Sequence, residues 1–124
     1  MLCWGAIAQL PAQGPDAAPE LDYLFFQQQV QPILVAERPG HARCVACHTA
    51  TPPLLEPLAP DQPAWTNEQS RRNFDHWKSF VVPGEPDESA ALLQPLAKAG
   101  GGAEFHSGGK VWRTKGDPEG QTLA

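Results

Sequence analysis

Apolar side chains along this chain fall in short helical stripes separated by proline and glycine, a pattern that predicts an all-α protein. Residues 22–37 read DYLFFQQQVQPILVAE. Asp22 suits a helix start, and Leu24, Phe25, Val30, Ile33 and Leu34 recur at a spacing that builds one apolar face. Pro32 lacks an amide N–H, so a bend or break is expected there, and Arg38, Pro39 and Gly40 close the element. Thr66, Asn67, Glu68 and Gln69 form a capping-box pattern opening a second helix, with Phe74, Trp77 and Val81 on one stripe and Pro83-Gly84 as its stop. A third helix begins around Pro86 to Ser89 and turns Leu92, Leu93 and Leu96 inward, with Pro95 shortening or kinking it. Residues 52–65 carry five prolines and residues 99–110 five glycines, and both read as loops. Asp117, Pro118 and Glu119 resemble the first turn of a fourth helix, expected to end before it buries anything. There is no internal repeat and no alternating strand pattern.

The 124 residues are one domain's worth. Fourteen prolines, eleven glycines and only 19% charged residues exclude a coiled coil or a charged disordered chain, and favour short elements joined by stiff loops. The net charge of −5 argues against nucleic acid, because the nine basic residues form no run longer than Arg71-Arg72. No apolar stretch approaches the ~20 residues of a membrane span. Residues 1–20 read either as the remnant of an export signal, with Ala6-Ile7-Ala8 as a small-x-small cleavage pattern, or as a disordered tail. The domain proper is 21–124. Cys3 belongs to the leading segment, and three cysteines make no disulfide scaffold.

The remaining two cysteines carry the chemistry. Residues 44–48 read CVACH, the CxxCH pattern of c-type haem attachment. Two thiols three positions apart, Cys44 and Cys47, can each add across one vinyl group of the macrocycle, and the imidazole of His48 then reaches the iron from one face. A covalent anchor also holds a large group in a small core. Zinc is the next reading, but it needs four ligands and there is no second cysteine pair. A thioredoxin-like redox pair needs a βαβ context, and nothing here reads as a strand.

Haem iron takes a ligand on its other face, commonly Met or His. The only methionine is Met1, in the leading segment, so the mature domain is expected to use histidine. His41 is three residues from Cys44 and is tied to the proximal side. His76 shares a helical angle with Arg72 and Ser79 and faces solvent. His106 follows His48 by 58 residues, with two helices between, and sits among glycines that let backbone approach a flat ligand. His106 is the distal candidate. Arg43, Trp77 and Trp112 are candidates for packing on the haem or for pairing with its propionates, with an ordinary core role the plainer reading of Trp77. Arg71, Arg72 and Lys110 are weaker propionate candidates.

Four segments, FQQQVQPIL at 26–34, RCVACH at 43–48, PGEPDESAALL at 83–93 and HSGGKVW at 106–112, resemble the class I cytochrome c family in its planctomycete- and acidobacterial-type branch. The resemblance spans 22–124. It implies a small cytochrome c-like bundle of short helices and long loops around one covalent haem, with electron transfer as its role. In many relatives a Met-Pro-Pro-Gly-Gly stretch supplies the distal methionine, and residues 105–109, FHSGG, stand in its place here. That puts His106 at the distal position and implies bis-histidine ligation. Relatives continue into a longer terminal helix, so the domain is expected to lack its full terminal helix, or to have it completed by another chain or by copies of itself.

The expected function is a monohaem carrier of single electrons between redox proteins or along a haem chain. Histidine in place of methionine lowers the potential. Haem c attachment in the family implies an exported, periplasmic or extracellular protein, and the acidic balance favours partners with a basic docking face. Two rivals remain. One is a five-coordinate haem sensor or peroxidase-like protein, with Glu104 beside His106 as an acid–base pair. The other is a haem-containing assembly module.

Overall fold

The computed structural model describes Gly14 and residues 19–124. Cys3 and the Ala6-Ile7-Ala8 pattern lie outside the described residues. Among the described residues the secondary structure is helical, with only two isolated bridges, Arg38 to His41 and Leu96 to Trp112, in place of a sheet. The expectation of an all-α chain holds at that level. No described helix is long and apolar enough to cross a membrane.

The first helix, α1, is built from three consecutive segments, Tyr23–Phe25, Phe26–Val30 and Gln31–Val35. Asp22 caps it, its carboxylate accepting from the Phe25 amide at 2.7 Å. The helix does not break at Pro32. Its middle segment is a π turn in which the Gln31 amide donates to the Phe26 carbonyl, five residues back. Proline has no N–H for the carbonyl four residues earlier and crowds it, and a widened turn just ahead of Pro32 accommodates both problems.

The buried face of α1 also differs from the expected one. Phe26, Val30, Ile33 and Leu34 are buried and Tyr23 is half-buried, whereas Leu24 and Phe25 are 58% and 49% exposed. Phe26 is the hub. Its ring lies 5.4 Å from that of Phe74 and 5.3 Å from that of Trp77, both tilted contacts that favour aromatic pairs.

Helix α2, Cys44–His48, is one turn long and packs on the last segment of α1. Helix α3, Asn67–Trp77, opens with the expected capping box between Thr66 and Gln69 and runs into a 3₁₀ turn at Lys78–Phe80. Its buried stripe is Ser70, Asn73 and Trp77, and it rests on the π turn of α1.

The third predicted helix is two pieces, a 3₁₀ turn at Pro86–Glu88 and α4 at Ala90–Leu93, with Leu92 and Leu96 fully buried. Ser89 divides them. Its hydroxyl accepts from the Val82 amide at 2.9 Å and has the Val82 and Glu85 carbonyls within 3.2 and 3.1 Å, so it serves the preceding loop and does not cap α4. Ser89 is 2% exposed, so Ser89→Ala leaves the part-buried Val82 amide without its acceptor and the Val82 and Glu85 carbonyls without their hydroxyl donor. The expected cost is about 1–3 kcal/mol, read as a lower urea midpoint with an unchanged slope.

The last helix, α5, is Pro118–Leu123 and buries Gly120 and Leu123, packing on α4 and on the π turn of α1. It contributes to the core, contrary to the expectation from sequence. Asp117 shapes its approach. Backbone amides of Arg113 and Thr114 donate to this carboxylate and hold it below the usual carboxylate range. That contribution is complete above the ordinary carboxylate pKa and is lost as pH falls through the lowered value.

Candidate functional site

The elements leave a cavity of about 450 Å³ between α1, α2, α4 and the loop 105–111, within the size range of cofactor pockets. Its lining is mainly apolar and includes Ile33, Leu34, Leu55, Trp77, Val111 and Leu123. One wall is α2, which presents Cys44, Cys47 and His48 together. The opposite wall is the glycine loop, which presents His106.

His48 and His106 face each other across this space. Their ring centres are 6.3 Å apart and their planes differ by 17°. Rings stacked face to face would lie closer. Two imidazoles that share one first-row metal, each nitrogen about 2.0 Å from it, have ring centres roughly 6 Å apart. The separation therefore suits one metal atom between them.

Each ring also has one nitrogen engaged by the backbone. Nδ1 of His48 lies 2.9 Å from the Thr51 carbonyl, and Nδ1 of His106 lies 2.7 Å from the Gly109 carbonyl. A carbonyl only accepts, so both Nδ1 atoms carry the proton and both Nε2 lone pairs remain for a ligand. Carbonyl partners of this kind fix the tautomer of metal-bound histidines. The Cys47 carbonyl accepts from the Ala50 and Thr51 amides, a tight turn that brings the Thr51 carbonyl back to His48.

The loop that carries His106 is fastened at both ends. The Ala103 amide donates to the Leu93 carbonyl, the Val111 amide to the Pro95 carbonyl, and the Lys110 ammonium to the Gln94 and Ala103 carbonyls.

Cys44 and Cys47 are free thiols. Cys47 is exposed and Cys44 is half-buried. Burial pushes the Cys44 thiol above its ordinary value, and the Arg38 guanidinium beside it opposes that rise. The zinc alternative needs four donors. Among the described residues, no group of three or more His, Cys, Asp or Glu side chains is placed to share one ion.

The other candidates divide. Arg43 lines the cavity, is half-buried, and has no carboxylate partner among the described residues. Trp77 lines the cavity while belonging to the aromatic core. Trp112 lines it too, but its indole N–H donates to Glu119 at 2.9 Å and is not free for a propionate. Lys110 is held by carbonyls, Arg72 pairs with Glu56, and Arg71 lies over the Tyr23 ring, so none of the three faces the cavity. His76 is exposed, as expected. His41 is exposed and lies beside Gly109, so it sits at the distal loop and not on the proximal side. Glu104 is exposed and paired with Lys98, turned away from the role of acid–base partner to His106.

Sequence reasoning missed Arg38 and Glu119. Arg38 donates to Glu119 at 2.7 Å and to the Ile33 and Ala36 carbonyls, tying the end of α1 to α5 behind Cys44 and Trp112. The weak signal was two opposite charges flanking Pro39 and Pro118, each at an element's edge.

A scan of known protein families, a search of curated proteins and a search of solved structures each gave no match to this chain.

Proposed function

We propose that this chain is a monohaem c-type cytochrome that carries single electrons, with haem c linked to Cys44 and Cys47 and its iron held by His48 and His106. One observation carries the reading. Two near-parallel imidazoles, 6.3 Å apart, face each other across an apolar cavity, beside the two thiols of a CxxCH turn. The resemblance to class I cytochromes c points the same way, through the CxxCH and three further segments.

When bound, haem c supplies one-electron exchange at its iron. The chain's residues then have definable tasks. Cys44 and Cys47 anchor the macrocycle edge. The Thr51 and Gly109 carbonyls hold His48 and His106 in the tautomer that offers Nε2. With both rings already fixed, little has to move when charge arrives or leaves. Ile33, Leu34, Leu55 and Val111 exclude water, and Arg43 is the basic group on the wall available to an acidic substituent. The function implies exported redox partner proteins, and attachment of haem c places the protein outside the cytoplasm in bacteria.

The test is absorption and electron paramagnetic resonance spectroscopy of the haem-loaded protein beside His106→Ala. The parent is expected to be low-spin with two nitrogen ligands, and the variant high-spin. High-spin iron in the parent overturns bis-histidine ligation and moves a five-coordinate sensor or peroxidase-like role to the front. Low-spin iron in both proteins assigns the distal ligand elsewhere.

A further inference from the structure

A histidine on a glycine-rich surface loop is a poor ligand unless something stops it from turning away. The loop around His106 carries no packed helix, and the residue before it, Phe105, is 74% exposed. Side-chain packing therefore supplies little of the order at this position. The backbone of the same turn supplies it. The Gly109 amide donates to the His106 carbonyl at 2.9 Å, closing the turn, while His106 Nδ1 lies 2.7 Å from the Gly109 carbonyl. The ring and the turn hold each other through one residue pair.

We infer that residues 106–109 form a self-contained ligand clamp in which glycine at 108 and 109 is what keeps the His106 imidazole aimed across the cavity. The inference rests on the proposed iron ligation by His106. It assigns positioning roles to two residues that carry no side chain and that the sequence marks only as glycines beside His106.

The two glycines act differently. Gly109 has φ +85°, in the left-handed region that L side chains avoid, and its carbonyl direction depends on that conformation. Gly108 has no positive φ, so alanine fits its backbone, but a Cβ there would lie 3.0 Å from His106 Cε1 and 3.5 Å from Nδ1. A methyl at 108 pushes the ring directly, whereas a methyl at 109 opens the turn that holds it. The proximal side is built alike, with the Thr51 carbonyl three residues after His48 doing what the Gly109 carbonyl does three residues after His106. The proximal ring, however, sits in a helical turn beside two thiols that anchor the macrocycle. The distal loop is fastened at 103 and at 110–111, and between those points its own turn holds the ring, so the distal side is where loss of this hydrogen bond frees a ligand.

The experiment uses the full chain with covalent haem, and carbon monoxide as probe of the reduced iron. Gly108→Ala and Gly109→Ala are each expected to raise the apparent carbon monoxide affinity about 10-fold or more, since loss of such a partner weakens a metal ligand by 10–100-fold. A high-spin fraction is expected to appear alongside. Gly109→Asn, which tolerates the left-handed conformation, is expected to restore the parent behaviour. Thermal melts check that each variant is folded, and should Gly109→Ala fail to fold, Gly108→Ala decides. Parent-like spin state and carbon monoxide affinity in the folded alanine variants overturn the clamp. His106→Ala separates the two failures. A change in His106→Ala with none at 108 or 109 removes the clamp alone, while no change in His106→Ala removes the ligation on which it rests.

Discussion

Made without haem, as in a Cys44→Ser, Cys47→Ser, His48→Ala variant, the chain is expected to lose its cooperative thermal transition while keeping part of its helical signal. The reason is the size of the cavity relative to the core. A closed apolar cavity costs about 24 cal/mol per Å³, so 450 Å³ corresponds to roughly 10 kcal/mol. This cavity is partly open to solvent, which reduces that figure. Even half of it rivals the whole stability of a small domain, about 5–15 kcal/mol. Half of the buried apolar core walls the cavity. Ile33, Leu34, Leu55, Trp77, Trp112 and Leu123 belong to both. Phe26, Val30, Leu92 and Leu96 are buried away from the cavity and keep part of the helical packing, but the other half of the core then faces an unfilled space. The expected state is compact and helical, binds hydrophobic dyes, and lacks fixed aromatic circular dichroism. The measurement is paired near- and far-ultraviolet melts of the haem-loaded and haem-free proteins. A sharp, coincident transition in the haem-free protein would mean that the walls repack against one another, and that haem is not part of the core.

How much of this was legible beforehand depends on the range of each interaction. The CxxCH turn is local, so five consecutive residues announced Cys44, Cys47 and His48 as one group. The capping box at Thr66 to Gln69 is equally local and was read correctly. His106 lies 58 positions from His48, and only its glycine setting and the resemblance singled it out. The structure brings the two rings together. Periodicity failed where it was ambiguous. In DYLFFQQQV, apolar side chains occupy four neighbouring positions, and the stripe through Tyr23 and Phe26 fits the later Val30 and Ile33 as well as the stripe through Leu24 and Phe25 does. Contact with Phe74 and Trp77 decides for Phe26, and those partners are 48 and 51 residues away. Pro32 was recognised as a disruption, but a helix has more than one response to a missing donor, and a π turn is milder than a break. The carbonyls of Thr51 and Gly109 could not be read at all, because every residue has one and only the fold aims it. The same holds for α5. Its burial depends on where α1 and α4 leave room for Leu123, and nothing in the last eight residues states that.

Glu119→Ala is expected to destabilise the haem-loaded protein by about 2–3 kcal/mol, although the substitution lies on a helix surface next to the end of the chain. Glu119 accepts from Arg38 at 2.7 and 3.2 Å and from the Trp112 indole at 2.9 Å. Its own side chain is 35% exposed, but that of Arg38 is only 13% exposed. Removing the carboxylate leaves a largely buried guanidinium with its charge unpaired, held only by the Ile33 and Ala36 carbonyls, and a Trp112 N–H inside the core without an acceptor. A fully buried pair would cost more, and the partial exposure of Glu119 sets the lower figure. Arg38→Met removes the guanidinium while keeping an apolar stem against the Ile33 carbonyl region, so the stranded charge disappears with it. The double variant is therefore expected to be no less stable than Glu119→Ala alone, with a coupling of at least about 1 kcal/mol. Urea denaturation of the four proteins at low and high salt measures it, and a desolvated pair keeps its coupling in salt where a surface pair does not. Strict additivity would mean that Arg38 and Glu119 stand near each other without holding anything. Their position argues otherwise, because this one contact joins the end of α1, the indole on the cavity wall and the first turn of α5 just behind Cys44.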